Sequence, residues 1–413
     1  MNDTTKLFLA ILQAALRNAS PLIEGEITIT QWQTLLRMAS IHNVLPLFYE
    51  AVYALPALAE QDELLTATKQ QVRQQIIMQA IRTEEFLALN DRLQHAGAKP
   101  LVVKGIICRN LYPRPDHRPS SDEDVLIPPE QFSICHPVLT AFGMTTGELF
   151  DAYELPYRKE NSPLLIELHK SLFPPDSDAY GDLNRFFEDA RERAIAMEIQ
   201  GHTVYTLNHT DHLFYLICHA FKHFLHSGFG IRQVCDIVLY ANAYGSQVDW
   251  ERVLENCKAI HGEKFAAAIF SIGQKYLIFD LEAAAYSPAW REIQVDEMPM
   301  LEDLLTAGLY GDSSMSRKHS SNITLDAVTA QKTGKKTKNA LVASLFPPRA
   351  KLEGRYPYLK KHRYLLPVAW CSRLWTYGKE TKNSRDNTAS DALKIGNERV
   401  ELMKLYGILE SSK

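Results

Sequence analysis

An apolar run, Val125-Leu126-Ile127, follows directly on Asp122-Glu123-Asp124, and no other junction constrains the chain as much. The run has the β-branched, apolar composition of a buried strand. Side chains alternate along a strand, so Asp122 and Asp124 fall on one face at its mouth and Glu123 on the other. Two acids so placed suit a hard divalent cation such as Mg²⁺, which takes oxygen ligands and keeps room for substrate phosphates. The same spacing also occurs in solvated turns and helix caps, so the flanking segments have to decide.

Upstream, Pro100-Leu101-Val102-Val103 is strand-like and stops at Lys104-Gly105, with the helix-like Ile106-Ile107-Cys108-Arg109-Asn110-Leu111-Tyr112 after it. Strand, Lys-Gly, helix is an arrangement that seeks phosphate. Glycine lets backbone approach a ligand, a helix N-terminus favours anions, and a lysine supplies a point charge. Downstream, Pro163-Leu164-Leu165-Ile166-Glu167-Leu168-His169 sets an acid inside an apolar strand, where a lone carboxylate is costly unless paired or bound to metal.

The combination of Leu101-Val102-Val103-Lys104-Gly105, Leu111-Tyr112-Pro113, Arg118-Pro119, Asp122-Glu123-Asp124 and Ile166-Glu167-Leu168-His169 resembles the uncharacterised nucleotidyltransferase family of bacteria. That family is a branch of the polymerase-β-like nucleotidyltransferase superfamily. His42 to Tyr49, Ile217 to His223 with Arg232 and Asp236, and Arg355 to Leu359 resemble it too, so the likeness spans most of the chain. It implies an α+β fold with a small mixed-sheet nucleotidyltransferase core flanked by helical regions. It further implies that Asp122, Asp124 and Glu167 are the catalytic acids and hold one or two Mg²⁺ ions, or Mn²⁺ in their place. Glu167 would also help deprotonate the acceptor. Lys104, Gly105, Arg118 and His169 would bind the nucleotide. The chain departs from the family in carrying Glu123 where an apolar residue is usual, and this side chain must find solvent or a cation. The third acid is glutamate where aspartate is common, and Lys104-Gly105 stands in for the Gly-Ser or Gly-Gly turn of many relatives in the wider superfamily.

Among 413 residues, a hydrophobic share of 46% is that of a globular protein with one large core or two to three lobes. No stretch approaches the ~20 apolar residues of a bilayer span, and Met1-Asn2-Asp3-Thr4-Thr5-Lys6 lacks the basic-then-apolar pattern of an export signal, so the default location is the cytoplasm. Cysteines at 108, 135, 218, 235, 257 and 371 have no paired short spacing and suit reduced core thiols. A formal net charge of -4 argues against non-specific nucleic-acid binding. Local basic stretches lie at Lys332 to Lys338, which suits an exposed loop or a contact to an anionic acceptor, and at Lys360 to Arg363.

Helical patterning fills residues 1–97, with Phe8, Ile11, Leu12 and Ala15 on one face and Gly97 as a stop. Residues 98–207 alternate short strands and helices, with strands expected near 100–103, 123–127, 164–169 and 203–207, and form the expected core. A helical lobe is expected over 208–310, and a C-terminal extension over 311–413 with exposed loops at Gly311 to Lys318 and Ser384 to Ser390. Ala392 to Leu409 has helical spacing suited to docking on the body or on a partner. His212, His219, His223 and His226 share nearly one helical face. With Phe221 and Phe224 interleaved and no zinc-motif partner, they suit packing or a polar cleft lining more than a metal site. Arg232 and Asp236, four apart, suit a surface pair or a bridge to nucleotide.

The expected activity is transfer of a nucleoside monophosphate from a nucleoside triphosphate to an unidentified acceptor, with release of pyrophosphate. ATP is the donor suggested by abundance alone. A metal-dependent glycosyltransferase would use the same acid pair on a nucleotide sugar, but on a larger α/β domain. A non-catalytic nucleotide-binding scaffold is the remaining alternative.

Overall fold

A computed structural model describes residues 1–23, 25–59, 62–147, 153–307, 315–334, 356–381 and 389–410, with single positions at 346, 349 and 352. Its helices are α1 (Asp3–Leu16), α2 (Ile29–Ile41), α3 (Leu45–Val52), α4 (Pro56–Ala59), α5 (Asp62–His95), α6 (Gly105–Arg109) and α7 (Phe132–Ala141) in the first half. The second half holds α8 (His209–His226), α9 (Ile231–Tyr244), α10 (Trp250–Ala259), α11 (Glu263–Tyr276), α12 (Pro288–Arg291), α13 (Met298–Ala307) and α14 (Met315–Thr333), then α15 (Tyr358–Lys361), α16 (Leu366–Thr381) and α17 (Ala389–Leu405). The strands are β1 (Leu101–Val103), β2 (Glu123–Leu126), β3 (Met144–Thr145), β4 (Glu154–Lys159), β5 (Leu165–His169), β6 (Ile195–Ile199) and β7 (His202–Thr206). The fold is α+β, as the resemblance implies.

Five strands form one mixed sheet in the order β1-β2-β5-β4-β3, antiparallel throughout except for the central β2–β5 pair. That parallel pair sets Asp124 opposite Glu167 and Leu126 opposite His169, while β1 sets Val103 opposite Asp124. Register alone therefore brings Lys104, Asp124 and Glu167 to one end of the sheet. The larger parallel α/β domain expected of a glycosyltransferase is absent among the described residues. β6 and β7 form a separate hairpin whose two-residue turn, Gln200-Gly201, has φ of 53° and 82°, the left-handed pair that matches strand twist.

The helical frame holds the loop before β2. α5 ends at Gly97, whose φ is 89° and whose neighbour Ala98 donates back to Leu93 O, a glycine-terminated helix end. From its middle, Gln79 Oε1 accepts from Ser120 N at 2.8 Å and Arg82 donates to the carbonyls of Ser120 and Pro163. Arg109 of α6 reaches Ser120 Oγ at 2.8 Å and Arg232 of α9 reaches Pro119 O. Four side chains from three helices thus fix the entry to the acid pair. The expected face of α1 is the one buried, with Phe8, Ile11, Leu12 and Ala15 all in the main core.

The C-terminal part departs from expectation. Of the loop expected at Gly311 to Lys318, residues 311–314 lie outside the described residues, and Met315 onward is helical in α14. Lys332 and Thr333 end that helix, and 335–338 lie outside the described residues, as do 384–388 of the second expected loop. α17 packs along α14, so the terminal amphipathic segment docks on the body. Five of the six cysteines are buried free thiols and Cys371 is exposed.

Candidate active site

The end of the sheet where Lys104, Asp124 and Glu167 meet opens into a cavity of about 410 Å³, closed on its other side by α8 and α9. Its sheet wall is acidic, with Asp122, Asp124, Glu154 and Glu167 beside His169. Its helical wall carries His219, Lys222, His223 and His226, spaced i, i+3, i+4 and i+7 on one face of α8, and Arg232 of α9. A polar, two-signed cavity of this kind suits a ligand that brings both a cation and several negative charges.

Asp124 is buried, accepts from His169 Nε2 at 3.1 Å, and pairs with Lys104 Nζ at 2.9 Å. Burial opposes its charge, yet Lys104 and His169 hold its pKa far below the ordinary carboxylate range. His169 stands 3.7 Å from Glu167 and 4.0 Å from Glu154 as well. Against burial, which disfavours the imidazolium, its hydrogen bond to Asp124 and the nearby Glu167 carboxylate raise its pKa to about 9. Donor atoms of Asp124, Glu167 and His169 all lie within 4.8 Å of one another, the one such group among the described residues. Asp124 Oδ1 faces His169 and Oδ2 faces Lys104, so both carboxylate oxygens are already engaged by positively charged groups. Two clustered carboxylates with Asp122 nearby supply the hard oxygen donors a divalent cation takes, and such a cation would replace the Lys104 ammonium as the partner of Asp124. Asp122 precedes β2, is half-buried and faces the same cavity, but is not one of the three clustered groups.

Lys104 links the two walls. Its backbone has φ of 61° and ψ of -99°, a region that non-glycine residues rarely adopt. The strain is held from several sides. Its N–H donates to His212 Nε2 at 3.1 Å, and its Nζ reaches both Asp124 and His219 Nε2, the latter at 3.1 Å. His212 Nδ1 stands 3.2 Å from Thr206 Oγ1, which itself donates to Val102 O, so Nδ1 carries the proton. Burial drives the His212 pKa down to about 3, consistent with a neutral ring that serves the backbone and lies outside the cavity lining. Burial opposes the charge of Lys104, but Asp124 and Asp122 outweigh it and keep the pKa above its ordinary value.

On the facing wall, burial and the neighbouring Lys104 depress Lys222, while burial and Arg118 depress Arg232. Burial and Lys104 push His219 well below 6.5, and burial and Lys222 do the same to His223. Arg232 Nε is buried without a hydrogen-bond partner. The wall is thus short of negative charge, which is the electrostatic signature of an anion site.

Two residues expected to bind nucleotide are engaged elsewhere. Arg118 is 1% exposed and lies outside the cavity lining, where it grips Asp236 through Nε at 2.7 Å and Nη2 at 2.6 Å. Tyr112 donates to the same carboxylate at 2.8 Å, so Asp236 pairs with Arg118 and not with Arg232 four residues before it. Gly105 is buried against Glu123, whose carboxylate occupies the space a Cβ would need. That carboxylate accepts from Ile106 N at 2.9 Å and pairs with Arg109 at 2.5 Å. Glu123 thereby finds the cation it requires and caps α6, leaving the N-terminus of that helix closed to a phosphate. Tyr153, Glu154, Tyr180 and Asn43 also line the cavity and were not expected there. Only Glu154 carried a usable sign, as an acid at the head of an alternating run, and Pro156 obscures that run as a strand.

No helix among the described residues is long and apolar enough to cross a membrane. No curated protein and no solved structure matches the chain. The model of the family described as uncharacterised nucleotidyltransferase matches residues 29–277, a stretch that holds both walls of the cavity and more than half the sequence. The chain belongs to the uncharacterised nucleotidyltransferase family.

Proposed function

We propose that the protein is a divalent-cation-dependent nucleotidyltransferase that moves a nucleoside monophosphate from a nucleoside triphosphate to an acceptor hydroxyl or phosphate. The carrying observation is the register of β2 and β5, which sets Asp124 beside Glu167 and His169 across a cavity from Lys222 and Arg232. Asp122, Asp124 and Glu167 would hold Mg²⁺ or Mn²⁺, with His169 beside them, and the cation when bound neutralises phosphate charge and polarises the transferred phosphoryl group. Lys104, next to the acids, would meet the α-phosphate side. Lys222 and Arg232 take the charge of the departing pyrophosphate, a role that Gly105 and Arg118 do not fill from their positions. The acceptor oxygen bonds to the α-phosphorus as the bond to the bridging oxygen of the β-phosphate breaks. Glu167, half-buried at the open side of the acid group, receives the acceptor's proton.

The test is calorimetric titration of each of the four nucleoside triphosphates with Mg²⁺, together with an assay for pyrophosphate release. Binding and release should both vanish when Asp122→Asn and Asp124→Asn are combined. Release of a nucleoside diphosphate from a nucleotide sugar would point to glycosyl transfer. No binding by the intact protein would overturn the donor site. The pre-formed Lys104–Asp124 pair, which satisfies charge without a cation, is the observation that would then support a non-catalytic scaffold.

A further inference from the structure

The last turn of α8 ends in four successive carbonyls that a helix cannot satisfy itself. In this protein all four are taken by side chains from the C-terminal region. Arg399 of α17 donates to Phe224 O and His226 O, Thr324 of α14 donates to Leu225 O at 2.6 Å, and Arg317 of α14 donates to Ser227 O at 2.5 Å. These donors lie 90 to 175 residues beyond their acceptors, and all lie after residue 277, where the family match ends.

Arg399 is 2% exposed and Arg317 is 9% exposed, and both reach the carboxylate of Asp303, at 3.7 Å and 2.7 Å. The C-terminal end of α8, with its negative partial charge, favours both guanidinium groups. The same turn carries Lys222, His223 and His226 into the cavity, and Gly228 and Phe229 follow it along the lining. His226 is held at both ends, its carbonyl by Arg399 and its Nε2 by Tyr180 Oη at 2.8 Å.

We infer that the α14–α17 pair is part of the donor site, with Arg399, Arg317 and Thr324 as positioning residues that hold the cationic turn of α8 against the polyphosphate of the nucleotide. This inference rests on the proposed donor site, and it assigns to the C-terminal region a role in substrate affinity. The acid wall stands on β2 and β5, across the cavity from the α8 turn, so disturbing the turn should spare cation binding and weaken polyphosphate binding.

The experiment uses the full chain and the variants Arg399→Gln, Arg399→Lys and the milder Thr324→Val. Inorganic tripolyphosphate affinity is measured by calorimetry, Mn²⁺ affinity by electron paramagnetic resonance, and amide exchange across residues 219–230 by mass spectrometry. Arg399→Gln should weaken tripolyphosphate about tenfold or more, leave Mn²⁺ affinity within about twofold, and raise exchange in the α8 turn but not in β2 or β5. Arg399→Lys should recover part of the loss, and Thr324→Val should show a smaller loss of the same sign. Where turnover is seen, KM for the nucleotide should rise with kcat little changed. Unchanged tripolyphosphate affinity in folded Arg399→Gln and Thr324→Val overturns the inference while leaving the donor site standing. A parallel fall in Mn²⁺ and tripolyphosphate affinity also overturns it, since that marks a general loss of structure. Failure of the wild type to bind tripolyphosphate overturns the donor site itself and the inference with it.

Discussion

Replacing Arg118 with methionine separates two roles that its sequence position leaves open. If the guanidinium met phosphate, its loss would weaken nucleotide binding by about 1.5–3 kcal/mol, the range for a hydrogen bond to a charged group, and would leave folding largely intact. The structure assigns it a different partner. Both Arg118 and Asp236 are almost fully buried, joined by two hydrogen bonds of 2.7 and 2.6 Å, with Tyr112 completing the carboxylate. Arg118→Met strands Asp236 in a site where burial opposes its charge and Arg118 is the main group holding its pKa down. Breaking one side of such a pair costs about 3–5 kcal/mol, a large part of the stability of a typical domain. Guanidinium denaturation followed by tryptophan fluorescence should show that loss, and calorimetry should show nucleotide affinity little altered in the folded protein. The double variant Arg118→Met with Asp236→Leu should recover most of the stability, because replacing both partners removes the stranded charge. A loss under about 1 kcal/mol, or a double variant no more stable than the single, would refute the assignment.

Gly105→Ala should lower stability by about 1–3 kcal/mol in thermal unfolding, since the new Cβ must displace the Glu123 carboxylate from Ile106 N and Arg109; an unchanged midpoint would contradict that placement. Lys222→Gln should weaken tripolyphosphate by about tenfold or more, most at low salt, and equal affinity would remove the lysine from the anion wall. Stability should fall on mild acidification. Burial pushes the pKa of His42 down to about 4 and that of His212 down to about 3, whereas the unfolded chain titrates near 6.5. The unfolded state therefore binds more protons between these values, so the contribution is complete above about pH 6.5 and is lost progressively as pH drops toward the folded values. Denaturation midpoints that stay flat from about pH 7 to pH 4.5 would refute the burial of neutral imidazoles.

The acid end of the site was legible because its residues are local to strands. Asp124 lies at the head of an apolar run, and Glu167 and His169 alternate on another, so period-two spacing places each on a face before any tertiary contact is known. The resemblance implies that these acids share a site, but their meeting depends on the parallel pairing of β2 with β5, which the spacing does not give. β4 was missed since Pro156 and three charged residues interrupt Glu154–Lys159, although Leu155 and Tyr157 alternate inward as a strand requires.

The partners of Arg118 and Gly105 were not legible in the sequence, for a definite reason. An arginine before an acid pair and a glycine after a lysine look alike whether they serve a ligand or the fold. What distinguishes them is a distant partner: Asp236 for Arg118, 118 residues on, and the folded-back carboxylate of Glu123 for Gly105. Glu123 was the odd residue of the acid motif, and its place explains both departures together. By filling the start of α6 it occupies the place a Gly-Ser turn would leave open, while the cations that line the cavity opposite the acids stand on α8 and α9. In the proposed donor site those cations need the end of α8 held still. The four capped carbonyls would do so, and would tie the identity of residues near 317, 324 and 399 to a site that motif reading confines to residues 104–169.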